Sequence, residues 1–102
     1  MFSLQQTTSI SRNYFKVIDV SAYYVYIQSK NTGHYWFISC ETFSTFETIT
    51  IYHKHKYEDP LHFQCRAASL KGAIFKIKDH DKYQMRRNEF KKKKRSINCV
   101  AE

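Results

Sequence analysis

The block from Tyr14 to Lys54 most constrains how this chain can fold, because β-branched and aromatic residues alternate there with polar ones and a single glycine-bearing turn interrupts it. A period of two is the mark of strands with one buried face. Four strands are read from it: Tyr14–Val20, Ala22–Ser29, His34–Cys40 and Thr48–Lys54. The second and third flank Lys30-Asn31-Thr32-Gly33, where Gly33 can take the positive φ of a hairpin turn. Pairing about that turn sets Ile27 opposite Trp36 and Val25 opposite Ile38 on one face. Tyr26 then faces Phe37, and Gln28 faces Tyr35, on the other. A slip of one residue would mix the two faces, so the register is well specified. The fourth strand places Ile49, Ile51 and His53 on one side and Thr48, Thr50, Tyr52 and Lys54 on the other.

After the strands the period changes. Asp59-Pro60 reads as an N-cap followed by a first helical residue. Phe63, Ala67, Leu70, Ile74 and Ile77 then form one helical stripe. A smaller stripe of Leu61, Cys65, Ala68, Gly72 and Phe75 lies nearly opposite and needs a cover, either the C-terminal segment or a second copy in a homodimer. Asp79 or Asp81 can cap a second helix. Gln5–Asn13 is polar and without period, which predicts a loose lead. With 102 residues there is room for one core. The expected fold is α+β: an antiparallel β-meander of three to four strands packed on one main α-helix, with a basic C-terminal helix or arm. The expected divisions are 1–13 for the lead, 14–81 for the core domain and 82–102 for the arm.

Composition removes several classes of function. Gly33 and Gly72 are the only glycines, so neither a dinucleotide fingerprint nor a phosphate-cradling loop can be written. The charge-free stretches Met1–Ser11, Val20–Ser29 and Asn31–Cys40 are too short for a membrane span. Met1–Ser11 also lacks the basic start and apolar run of a secretory signal. The three cysteines, Cys40, Cys65 and Cys99, do not form a disulfide framework by number or spacing. They are read as free thiols, which implies a reducing, cytoplasmic setting, that of a host cell if the chain is phage-encoded. Cys99-Val100-Ala101-Glu102 matches a prenylation box only superficially, since glutamate is not a usual last residue. Lys91–Arg95 would serve as a nuclear address only in a eukaryotic cell.

Sites of chemistry are few. His53 and His55 share a strand face, and His62 and Cys65 lie three apart on the expected helix, so the four are metal-ligand candidates for zinc. Their spacing matches no standard finger, and the plainer reading is surface histidines beside a buried thiol, with no metal and no cofactor. His80-Asp81 resembles a metal-phosphohydrolase dipeptide without the further ligands such enzymes require. Cys40-Glu41 lacks a histidine partner in sequence, and no Ser/His/Asp set or paired carboxylates stand out. The chain is therefore expected not to be an enzyme.

The strongest chemical signal is cationic. The formal charge is +8, and residues 82–95 hold eight of the seventeen Lys+Arg with one Glu. Lys82, Arg86, Arg87, Lys91, Lys92, Lys93, Lys94 and Arg95 would attract a polyanion by releasing condensed counterions. On the sheet, Tyr24, Tyr26, Tyr35 and Phe37 fall on the face away from the helix, with Lys16, Lys30, Lys54 and Lys56 nearby. Such a face can stack unpaired bases or contact a protein, and tyrosine is also common on strands with no ligand. The order of elements, a small antiparallel sheet and then a helix, resembles that of integrase arm-binding and double-stranded-RNA-binding modules, a likeness of fold that does not fix function. The expected function is a non-enzymatic binding module for nucleic acid or a nucleoprotein. The alternative is an inhibitor from a phage or mobile element, of the anti-CRISPR kind, or another adaptor acting on a protein partner.

Overall fold

The strand-forming block folds into an antiparallel sheet whose inner face is closed by a helix, an α+β architecture. The computed structural model describes residues 1–43 and 46–101, with side chains over 1–42 and 46–91. The strands are β1 (Phe15–Val20), β2 (Tyr24–Ser29), β3 (Tyr35–Phe43), β4 (Phe46–Lys54) and β5 (His62–Ala67), paired in chain order. The helices are α1 (Leu4–Thr8) and α2 (Leu70–Ala101). The sheet thus has five strands, where three to four were expected.

The central hairpin has the expected register: Ile27 faces Trp36, Val25 faces Ile38, Tyr26 faces Phe37 and Gln28 faces Tyr35. Gly33 takes φ 77°, where a Cβ would be strained. Val25, Ile27, Trp36, Ile38 and Ile51 are sealed on the inner face against Leu70, Ala73 and Ile77 of α2. Full burial of each large apolar side chain is worth roughly 1.5–3 kcal/mol, and this layer fixes the helix on the sheet.

The stretch after Asp59-Pro60 is a strand, not a helix. His62 and Phe63 pair with His53 and Tyr52, while Cys65, Arg66 and Ala67 pair with Ile51, Thr50 and Ile49. Gln64 is the extra residue of a bulge, and it disguises the alternation of this strand. Helix α2 begins at Leu70 instead. Ser69 caps it, its Oγ accepting from the Gly72 N–H at 3.0 Å and its carbonyl from the Ala73 N–H at 2.9 Å. Of the bulky stripe, Leu70, Ile74 and Ile77 lie on α2, while Phe63 and Ala67 belong to β5. The second stripe is not a helix face, because Leu61, Cys65 and Ala68 precede α2, so the homodimer surface read from it does not exist.

Nor does a second helix start at Asp79 or Asp81, since α2 runs unbroken through both. The N-terminal lead is ordered at its centre. Ser3 and Gln6 form a reciprocal capping box on α1, and Phe2 and Ile10 are buried in the core. The Phe2 N–H also donates to the Ala22 carbonyl at 2.7 Å. Among the described residues, no helix is long and apolar enough to cross a membrane.

Candidate functional site

The outer face of the sheet carries a connected set of rings. Tyr24 stacks on Phe37 at 5.3 Å and 15° between planes, and Tyr26 contacts both Phe37 (5.9 Å) and Tyr35 (6.2 Å). All four are half-buried, leaving ring surface available. Tyr52 extends the set from β4, 6.3 Å from Phe37, and Phe63, directly across from Tyr52 on β5, is 57% exposed. Lys54 lies among three rings, its Nζ 5.5 Å from the centroid of Tyr26, 5.3 Å from Tyr35 and 4.8 Å from Tyr57. It also donates to the Tyr57 carbonyl at 2.7 Å, so a cation is held within the aromatic layer. At the opposite end Tyr24 donates to Asp19 Oδ2 at 2.6 Å, which raises its phenol pKa. The four aromatic residues proposed from sequence are therefore brought together. Tyr52, Tyr57 and Phe63 join them without having been singled out by sequence: Tyr52 has the right parity, whereas the spacing of Phe63 mimics a helix.

The cationic arm is the outer part of α2. Lys82, Arg86, Arg87 and Lys91 are exposed, and among the described residues none of them forms an ion pair. Lys92, Lys93, Lys94 and Arg95 have side chains outside the described residues.

Where the arm leaves the sheet is set by Asp81, which is wholly buried. Its carboxylate accepts from the hydroxyls of Ser29 (2.6 Å), Tyr14 (2.7 Å) and Thr32 (3.1 Å). Ser29 in turn accepts from Trp36 Nε1 at 3.1 Å. Burial and the bond to Asp81 push the Tyr14 phenol up to about 12. These bonds pin the helix at the end of the sheet where β2 turns into β3 and where β4 ends on Lys54. The arm and the Lys54 end of the aromatic face thus leave from one end of the molecule. They do so on opposite sides of the sheet, since α2 covers the inner face.

The same end holds all five histidines. His53 Nε2 is 3.0 Å from His34 Nδ1, and His53 Nδ1 is 3.4 Å from His62 Nε2. His55 stacks on His34 at 4.2 Å, and His80 of α2 lies 5.0 Å from His53, centroid to centroid. Trp36 floors the cluster, stacked on His53 at 4.2 Å and edge-on to His80 at 5.2 Å. Burial above all, then the neighbouring imidazoles, pushes His53 down to about 3. His34 and His80 are also lowered, mainly by burial, with the Asp81 carboxylate partly opposing. His53 is thus neutral at pH 7. His80 Nδ1 is buried with no hydrogen-bond partner, a condition that typically costs about 1–3 kcal/mol.

A ring nitrogen from each of His34, His53 and His80 lies within 4.8 Å of the other two, the one group of possible metal ligands among the described residues. Of the four candidates from sequence, only His53 belongs to it. His62 abuts His53 and His55 stacks on His34, while Cys65 faces Ile51 and packs against the apolar core. His34 and His80 carry no spacing signal, since they are 46 positions apart and meet only through the fold. No protein family, no curated protein and no solved structure matches this chain.

Proposed function

We propose that the chain is a non-enzymatic nucleic-acid-binding module, with the cationic arm as its principal contact and the aromatic sheet face as its second. The observation that carries this reading is the exposure of the four described cations of the arm, which form no ion pair among the described residues. Lys82, Arg86, Arg87 and Lys91 project from a helix that is anchored by Asp81, and among the described residues no carboxylate is engaged by any of them. A dense set of exposed cations on one helix favours a polyanion, because each contact releases condensed counterions. The ring layer suits unpaired bases, which stack on tyrosine and phenylalanine, and Lys54 adds a positive charge beside it.

The test is binding of a fluorescent single-stranded oligonucleotide across a salt series. Replacing Lys82, Arg86, Arg87 and Lys91 by glutamine should reduce the slope of log K against log salt by about 2–3 units for a single strand. Tyr35→Ala with Phe37→Ala should weaken binding by roughly 1–3 kcal/mol per base lost from the stack, leaving the slope intact. An unchanged slope in the glutamine variant would remove the arm as the contact. A protein retained in a nuclease-treated pull-down, and released by the aromatic substitutions, would move the reading to a protein-directed inhibitor or adaptor.

A further inference from the structure

We propose that His34, His53 and His80 form a three-imidazole site for a divalent transition-metal ion of the zinc class, joining α2 to the sheet. The inference stands apart from the nucleic-acid reading and uses different residues. Its basis is convergence. His34 precedes β3, His53 lies on β4 and His80 lies on α2, yet one nitrogen from each falls within a 4.8 Å group. Tetrahedral zinc with bonds of 2.0–2.1 Å requires nitrogens about 3.3 Å apart. The His34–His53 pair is already at 3.0 Å, and the widest pair in the group must close by about 1.5 Å at most. His80 is the least buried of the three, so the adjustment falls to its side chain.

Packing alone does not account for the arrangement. The middle of the inner face is apolar, with Val25, Ile27, Ile38 and Ile51 fully buried, and His53 continues the row of Ile49 and Ile51 toward the end where Ser29 meets Asp81. An aliphatic residue would complete that layer, whereas the chain places three imidazoles there and leaves His80 Nδ1 with no partner. A metal ion would turn that orphan lone pair into a bond. The surroundings suit a cation as well. His62 Nε2 sits 3.4 Å from His53 Nδ1, where it can orient the ligand ring, as outer-shell partners of metal-bound histidines do. The Asp81 carboxylate, next in sequence to His80, brings a buried acidic group to the same end of the core. Three imidazoles leave the fourth position to water, and His80 is the least enclosed of the three.

The full chain, stripped of metal by chelator, should take up one Zn²⁺ in calorimetric titration at neutral pH. His80→Ala should lower the affinity more than 100-fold, beyond the 10–100-fold typical of an outer-shell loss. His55→Ala, which removes a ring stacked outside the triad, should change it less than about 3-fold. Co²⁺-loaded protein should show the visible bands of a tetrahedral nitrogen site without a thiolate charge-transfer band. That spectrum decides the matter on the wild-type chain even if a variant fails to fold. Folded wild-type protein that binds no Zn²⁺ would overturn the proposal. So would a His80→Ala variant of undiminished affinity, or a thiolate band pointing to a cysteine site.

Discussion

Helix α2 is two helices in physical terms, though no break divides it. From Leu70 to Asp81 it presents Leu70, Ala73, Ile77 and Asp81 at spacings of three and four, and all four are buried. From Lys82 to Lys91 no side chain is buried, and the large apolar residues Tyr83 and Phe90 are exposed. The inner half is held by tertiary contact and the outer half by helix propensity continued from it. Secondary structure and domain membership therefore come apart here. Among the described side chains of α2, burial ends at Asp81, and those from Lys82 to Lys91 face solvent or the edge of the core.

The sharpest way to break this contrast is at its boundary. Asp81→Ala removes the acceptor for three hydroxyls, of which Ser29 is wholly buried, and should cost about 3 kcal/mol in chemical denaturation. Ile77→Ala, one turn earlier, opens a cavity in the sealed layer and should cost about 2–4 kcal/mol, the lower end if the site collapses. Ser69→Ala, at the start of the inner half, should cost about 1 kcal/mol by removing the cap on the Gly72 N–H. Glutamine at Lys82, Arg86, Arg87 and Lys91 together should move stability by no more than about 0.5 kcal/mol, because these side chains are exposed and unpaired.

The boundary also has a signature at alkaline pH. Tyr14 holds its proton to about 12 in the folded chain, against an ordinary 10.0 when unfolded. Between those values the unfolded chain has lost the proton and the folded one retains it. Stability from this group is therefore complete below pH 10 and falls as the pH rises toward 12. Denaturation curves across that window should flatten in Tyr14→Phe. An unchanged pH slope would mean that the phenol is not bound to Asp81.

What could be read ahead of the structure divides along the same line between local and distant. The central hairpin was legible in full, because Gly33 and the matched parities of Val25, Ile27, Trp36 and Ile38 all lie within one short segment. The aromatic face followed from that register. Strand β5 imitates a helix in sequence, since Phe63, Ala67 and Leu70 happen to recur at helical spacing behind an Asp-Pro pair that resembles a helix start. The Gln64 bulge completes the disguise by putting His62 and Cys65 on one side of the sheet, three residues apart, where an unbroken strand would separate them. The histidine triad was invisible for another reason: its members come from β4, the turn before β3 and the middle of α2, and no linear pattern joins them. Asp81 looked like a cap because a buried carboxylate can be recognised only when its donors, from Tyr14, Ser29 and Thr32, are in view.

Trp36 makes this boundary observable. It is the single tryptophan of the chain, bonded to Ser29, stacked on His53 and edge-on to His80 of the helix. Imidazole and carboxylate neighbours alter indole emission, so this ring is a built-in optical gauge of whether the helix is seated. A partner that lifts α2 from the sheet, without unfolding the strands, would register in tryptophan fluorescence.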